Sequence, residues 1–212
     1  MLISHRKNFI YTKTLKTGGT SVESYFEKYC MPEGEWEFSH AREQYVSRAG
    51  IIGYRGGSPG QSEWLNHMSA QQIKQKIGNE VWDSYFKFCV VRNPYDKMVS
   101  AFFGFGGGKP RDPKSVEKFR KWLKRGIFVD RDKYVIGNDL CVDYIMQYEQ
   151  LEQDLESVCA RINVPFEPES LPKLKAGYRD HLKPVSEYYD EECTQIIKNH
   201  YSYELNLFNY KP

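Results

Sequence analysis

Apolar and polar residues alternate along this chain in two rhythms, one short and extended, the other helical. Asn8-Phe9-Ile10-Tyr11-Thr12-Lys13 is a β-favouring run, followed by a glycine turn at Gly18-Gly19. Behind the turn, Val22, Tyr25, Phe26 and Tyr29 recur at i, i+3, i+4 and i+7, which is one face of a helix. Thr20-x-x-Glu23 has the form of a capping box at its start. The first 30 residues therefore read as strand, glycine turn, helix.

Residues 31–66 are irregular, with Gly50, Gly53, Gly56, Gly57, Pro59 and Gly60 in a loop-rich stretch. A second capping box, Ser69-x-x-Gln72, opens a short helix with Ile73 and Ile77 on one face and Gly78 behind it. Phe86 to Val91 is the strongest strand in the chain. It ends at Arg92-Asn93-Pro94, where Asn93 suits an N-cap and Pro94 the first helical position. Tyr95, Val99, Phe102 and Phe103 supply the next helix face, and Gly104 to Pro110 breaks it. Helical patterning resumes over Val116 to Leu123, and Val142 to Tyr148 reads as a third strand. Leu151, Leu155, Val158, Cys159 and Ile162 form an apolar stripe, and a last helix runs from Tyr189 to His200 before an aromatic tail, Tyr203 to Tyr210. Strands alternating with helices predict an α/β fold with a parallel sheet. The length predicts a single domain over residues 1–212.

Composition narrows the function classes. Lys and Arg total 30 against 28 Asp and Glu, a net charge of +2, which argues against a polybasic nucleic-acid binder and against an acidic disordered tail. The 5 cysteines are odd in number and have no C-x-x-C spacing, so neither a disulfide framework nor a zinc site is expected. Free thiols, no apolar run of about 18 residues and no signal-peptide pattern together predict a cytoplasmic protein with no membrane span. Aromatics are abundant, at 15% of the chain, and suit both a core and the walls of a ligand site.

Two constellations carry chemistry. Lys16-Thr17-Gly18-Gly19-Thr20-Ser21 lies between the first strand and the first helix. Glycines let the backbone approach a ligand, a helix N-terminus presents N–H groups to an anion, and Lys16 adds a positive charge. The motif is not a Walker A loop, which places its Lys after the last glycine. A plain βα turn with a capped helix has the same pattern. In Val90-Val91-Arg92-Asn93-Pro94-Tyr95-Asp96-Lys97-Met98-Val99-Ser100, a buried strand delivers Arg92 to its carboxyl end, where open α/β sheets bind ligands. Arg is suited to a bidentate grip on phosphate, and the Ser100 hydroxyl could reach the same anion. An Arg paired with a carboxylate and an ordinary helix serine fit the same residues.

Together and in this order, the two motifs resemble the signatures of sulfotransferases that use 3′-phosphoadenosine 5′-phosphosulfate (PAPS), chiefly the carbohydrate-type branch and its bacterial relatives. The resemblance covers residues 9–30 and 84–104 well and 142–163 and 188–210 more weakly. It implies a P-loop-like three-layer sandwich, a central, mostly parallel sheet flanked by helices. It implies that Lys16 stabilises charge on the bridging oxygen as the sulfuryl group leaves. The N–H groups of Thr17, Gly18, Gly19 and Thr20, with the Thr20 and Ser21 hydroxyls, would hold the 5′-phosphate. Arg92 and Ser100 would hold the 3′-phosphate, which excludes ATP. Leu15 departs from the family loop, which commonly has Pro at that place.

The family needs a base for the acceptor proton, and carbohydrate-type relatives often place a His or Glu near Asn66-His67-Met68-Ser69-Ala70. His67, two residues before the expected N-cap Ser69, is the candidate, since a helix N-terminus disfavours imidazolium. His40 is the fallback among His5, His40, His181 and His200, and Glu63 is the carboxylate alternative. Lys173, Lys175, Arg179 and Lys183 read as a solvated basic face, with Lys175 or Arg179 as possible helpers at the 3′-phosphate. Gly104 to Pro110 and Arg55-Gly56-Gly57 are candidates for shaping the acceptor pocket. Trp64, Tyr54, Phe105, Tyr178 and Tyr188 are candidates for its walls and for the adenine site. The expected reaction is sulfuryl transfer to a hydroxyl or amine of a small-molecule or saccharide acceptor, releasing adenosine 3′,5′-bisphosphate (PAP). The alternatives are a P-loop-type kinase and a nucleotide-binding module without sulfuryl transfer.

Overall fold

The computed structural model describes residues 1–172 and 183–211. In chain order the elements are β1 (Leu2–Ser4), β2 (Phe9–Tyr11), α1 (Gly19–Phe26), β3 (Tyr45–Val46), β4 (Gly50–Ile52), α2 (Ala70–Ile77), α3 (Asn79–Ser84) and β5 (Phe86–Val91). They continue with α4 (Pro94–Gly104), α5 (Ser115–Arg125), β6 (Val135–Ile136), β7 (Asp139–Leu140), β8 (Tyr144–Gln147), α6 (Leu151–Arg161), α7 (Glu191–His200) and α8 (Ser202–Phe208). The described residues pack as two compact units. One lies within Met1–Val91 and Asp130–Leu174, the other within Arg92–Val129 and Lys175–Pro212.

The first unit is built on a six-stranded sheet in the order β3-β4-β1-β2-β5-β8. β2, β5 and β8 run parallel, as the strand–helix alternation predicts. β1 pairs antiparallel with β2 and with β4, and β3 continues the antiparallel side. Period-2 alternation separates the two faces. Leu2, Phe9, Tyr11, Ile52, Phe88, Val90 and Met146 pack against α1 and α6 through Val22, Phe26, Leu155 and Val158. Ile3, Ile10 and Ile51 face the other way, onto Ala70 and Ile73 of α2 and Trp82 of α3. Helix–sheet–helix layering is therefore present in this unit.

Local signals explain several elements. The Ser69 side chain accepts from the Gln72 N–H while the Gln72 side chain accepts from the Ser69 N–H, so the predicted capping box is complete. β5 occupies the expected residues, with Phe88 to Val91 all buried. β1, β3 and β4 were not expected from the sequence. They are two or three residues long, too short to show a period, and their pairing to one another and to β2 defines them.

The second unit is helical. Asn93 caps α4 by accepting from the Tyr95 N–H, with Pro94 in the first turn, as predicted. Tyr95, Val99, Phe102 and Phe103 of α4 are buried against Phe119 and Leu123 of α5 and Cys193 and Ile197 of α7. The ring edges of Phe102, Tyr188 and Tyr189 meet Phe119 in T-shaped contacts. No helix among the described residues is long and apolar enough to cross a membrane.

Candidate functional site

The segment that follows β2 is fastened at four points. The Thr12 N–H donates to the Phe88 carbonyl at 3.0 Å, which prolongs the parallel pairing beyond β2. The Thr14 hydroxyl donates to the Val90 carbonyl, and it also meets the Thr17 hydroxyl at 2.8 Å. The Leu15 N–H donates to the Asp130 carboxylate at 2.6 Å, and Asp130 is buried. At its far end, the Ser21 N–H donates to the Gly18 carbonyl at 2.9 Å as α1 begins.

Between these fastenings the backbone turns left-handed twice, at Lys16 (φ 61°) and Gly18 (φ 71°). Left-handed residues interrupting right-handed backbone turn successive N–H groups toward one concavity that suits an anion. Gly18 is itself the N-cap of α1, and no side chain caps the helix. The expected capping box at Thr20 and Glu23 is therefore not formed: helix α1 starts one residue before Thr20, and Glu23 turns into the interior. Glycine is required at position 18 and fits tightly at position 19. A Cβ on Gly18 would sit 3.0 Å from the Tyr148 ring in a backbone conformation that side chains resist, and one on Gly19 would sit 3.1 Å from both the Lys13 side chain and the Tyr11 hydroxyl.

The side chains of the loop have separate duties. Lys16 is half-buried. Thr17 is fully buried, and its hydroxyl is engaged by Thr14. Thr20 is half-buried and accepts from the Lys13 ammonium at 3.3 Å, which leaves its own O–H proton to donate. Ser21 is buried.

Beneath the loop lies a buried ionic cluster that the sequence reading missed. Glu23 accepts from the Met1 amino group at 2.7 Å, from Lys13 at 2.7 Å and from Arg55 at 2.6 Å. Glu27 is bound by Arg55 and by Arg42 at 2.9 Å. Burial pushes the Glu23 carboxyl up, but the Met1 amine, Lys13 and Arg55 overcome it and bring the pKa down to about 2. Arg55, one of the candidates for the acceptor pocket, is thereby committed to the interior, where it also donates to the carbonyls of Ser39 and His40.

His67 is tied to the same region. Its Nδ1 lies 3.0 Å from the Lys13 carbonyl oxygen. A carbonyl only accepts, so Nδ1 carries the ring proton and Nε2 is the bare nitrogen. Desolvation on the packed side of the ring, then the Lys13 charge, pulls the imidazole down from 6.5 to about 4, while the other side of the residue stays open to solvent. The neutral state expected of His67 thus comes from packing and from Lys13. Of the alternatives, His40 is exposed and its carbonyl is taken by Arg55, while Glu63 is exposed and lies 3.5 Å from Lys76.

Arg92 and Ser100 belong to the second unit. Arg92 is buried, and its Nε and Nη2 both reach one oxygen of Asp96, at 2.9 and 2.8 Å. Ser100 is half-buried on α4. Two candidate wall aromatics are core residues instead: Trp64 packs with Ile3 and Ile73, and Tyr188 with Phe103 and Phe119. Each lacks local periodicity, so its burial follows from tertiary packing. Phe105 is exposed and Tyr54 half-buried. Lys183 is a surface residue 3.7 Å from Glu187. Lys173, Lys175, Tyr178, Arg179 and His181 lie outside the described residues.

Comparison with known proteins agrees with the motifs. The chain is 31% identical over 106 residues to an uncharacterized protein of Archaeoglobus fulgidus, an alignment that covers 47% of this chain and 86% of that protein. No solved structure matches it. The model of the family described as "Sulfotransferase family" matches residues 1–126, the stretch that contains the glycine loop, His67 and the Arg92 motif. The chain belongs to the sulfotransferase family.

Proposed function

We propose that this protein moves a sulfuryl group from PAPS to a hydroxyl or amine of a small-molecule or saccharide acceptor and releases PAP. The observation that carries the reading is the loop from Lys16 to Ser21, where two left-handed residues and a helix start without a side-chain cap give a backbone suited to an anion, inside a sulfotransferase-family segment.

The residues divide the work as follows. The N–H groups from Thr17 to Thr20 and the Thr20 and Ser21 hydroxyls hold the 5′-phosphate. Lys16 balances the charge that builds on the phosphate oxygen as its bond to sulfur breaks. Arg92, held by Asp96, and Ser100 take the 3′-phosphate; the order of the two motifs along the chain supports assigning both to one donor. His67 accepts the acceptor's proton on Nε2 while the acceptor oxygen or nitrogen forms its bond to sulfur. The donor supplies only the transferable sulfuryl group; binding, orientation and proton removal belong to the protein.

Calorimetry with PAP and with ATP tests the donor. PAP should bind in the micromolar range or tighter and ATP at least tenfold more weakly, because ATP lacks the 3′-phosphate. ATP turnover without PAP binding would favour a kinase, and PAP binding without transfer to any alcohol, phenol, amine or saccharide would favour a nucleotide-binding module.

A further inference from the structure

Lys13 is buried, at 3% exposure, between β2 and the glycine loop. Three bonds leave it, two for helix α1 and one for the loop before α2. Its carbonyl accepts from His67 Nδ1 at 3.0 Å. Its ammonium donates to Glu23 at 2.7 Å and to the Thr20 hydroxyl at 3.3 Å. Its methylene chain passes behind Gly19, within 3.1–3.2 Å of where a Cβ would be. One residue therefore touches the ring assigned to proton removal, the hydroxyl assigned to phosphate and the backbone of the anion cradle.

We propose that Lys13 is a positioning residue that couples the two halves of the reaction: its carbonyl fixes the tautomer of His67, and its ammonium fixes the orientation of the Thr20 hydroxyl. The purpose of this coupling rests on the sulfuryl-transfer reading, whereas the two bonds are properties of the free chain. The carbonyl bond leaves Nε2 as the only ring nitrogen able to take a proton. The ammonium occupies an acceptor position on Thr20, so the hydroxyl hydrogen is directed away from Lys13.

The charges that face His67 are the Lys13 ammonium just after β2, the Met1 amino group beside β1 and the Glu23 carboxylate on α1. The two cations disfavour imidazolium and the carboxylate favours it, with Lys13 the strongest of the three. Lys13 also neutralises Glu23, whose Oε2 is bound to its ammonium at 2.7 Å. Removing the Lys13 charge both deletes the main repulsion and unmasks Glu23, and both changes raise the proton affinity of His67.

The experiment is ring 15N NMR of His67, with PAP calorimetry and an unfolding midpoint, on wild type, Lys13→Met, Lys13→Arg and Thr20→Val. The wild-type ring should show a protonated Nδ1 and a bare Nε2. Lys13→Met should raise the His67 titration midpoint by about one pH unit and weaken PAP about tenfold. Lys13→Arg should bring PAP binding back to within about threefold of wild type, as a charge-preserving variant should. Thr20→Val should weaken PAP about as much as Lys13→Met and leave the tautomer in place. A wild-type ring protonated on Nε2, or a His67 titration that a folded Lys13→Met leaves unmoved, overturns the proposal. If Lys13→Met does not fold, the wild-type tautomer and Thr20→Val decide it, and undiminished PAP binding by Thr20→Val overturns it. If the wild type binds no PAP, the sulfuryl-transfer reading falls, and the tautomer and titration still judge Lys13.

Discussion

The N–H of Leu15 donates to the buried carboxylate of Asp130 at 2.6 Å, across 115 residues of sequence. A proline at position 15 would stiffen the loop through its ring but would have no N–H to give. In this chain a hydrogen bond from a distant segment does the stiffening. Asp130→Ala leaves a half-buried N–H without its acceptor, a loss of about 1–3 kcal/mol. PAP binding should therefore weaken about tenfold in calorimetry. Asp130→Asn keeps an acceptor oxygen and should stay within about threefold of wild type. Equal affinities for wild type and Asp130→Ala would show that the loop is held without it.

Arg92 grips a single oxygen of Asp96 with two N–H groups, which fixes the orientation of the guanidinium proposed to meet the 3′-phosphate. Arg92→Ala should weaken PAP roughly thirtyfold, the worth of charge-assisted bonds to one phosphate. Adenosine 5′-monophosphate lacks the 3′-phosphate and should bind both proteins alike. A parallel loss for both ligands would remove Arg92 from the 3′-phosphate.

His67 makes stability depend on pH in a defined window. Its folded pKa of about 4 lies below the unfolded 6.5, so the unfolded chain binds more protons between those values. Its contribution to stability is complete above pH 6.5, declines as pH falls toward 4 and is flat below. The melting temperature of His67→Asn should fall less steeply across that window than that of wild type. Turnover of wild type should show no acid limb near pH 6.5, because the ring is already neutral there.

Glu23 is a second acid-sensitive point, lower on the scale. Its stabilising contribution is complete above pH 4.5 and is lost as pH falls toward 2. Glu23→Gln leaves three buried cationic groups with one less countercharge and should cost about 3 kcal/mol in urea unfolding at pH 7. A variant as stable as wild type would mean that Glu27 alone satisfies Arg55 and that Lys13 finds another partner.

What the sequence made legible was local. The Ser69–Gln72 box, the Asn93-Pro94 start of α4 and the apolar run of β5 are decided by neighbours a few residues apart, and each is where the pattern predicts. The Thr20–Glu23 box failed because Glu23 gains more from three buried cations than from capping a helix end. Asp130 and Lys13 escaped notice for a related reason. Asp130 acts 115 residues from its own position, and Lys13 sits in a β-favouring run where only the fold shows that its ammonium turns inward. The order of the two motifs is legible in the sequence alone. The groups that brace the glycine loop became visible only with the chain folded.

The bond from Thr14 to the Val90 carbonyl bears on the order of folding. β1 and β2 form a hairpin of adjacent residues, whereas β2 finds its parallel partner β5 more than 70 residues later. Pairings of such long sequence separation form late, because closing the intervening loop costs entropy before any contact repays it. The glycine loop can be fastened only after that closure, so competence to bind the donor should be among the last properties acquired on refolding. A pulse of PAP added during refolding would then act as a clock for the completed sheet, silent while only the hairpin exists.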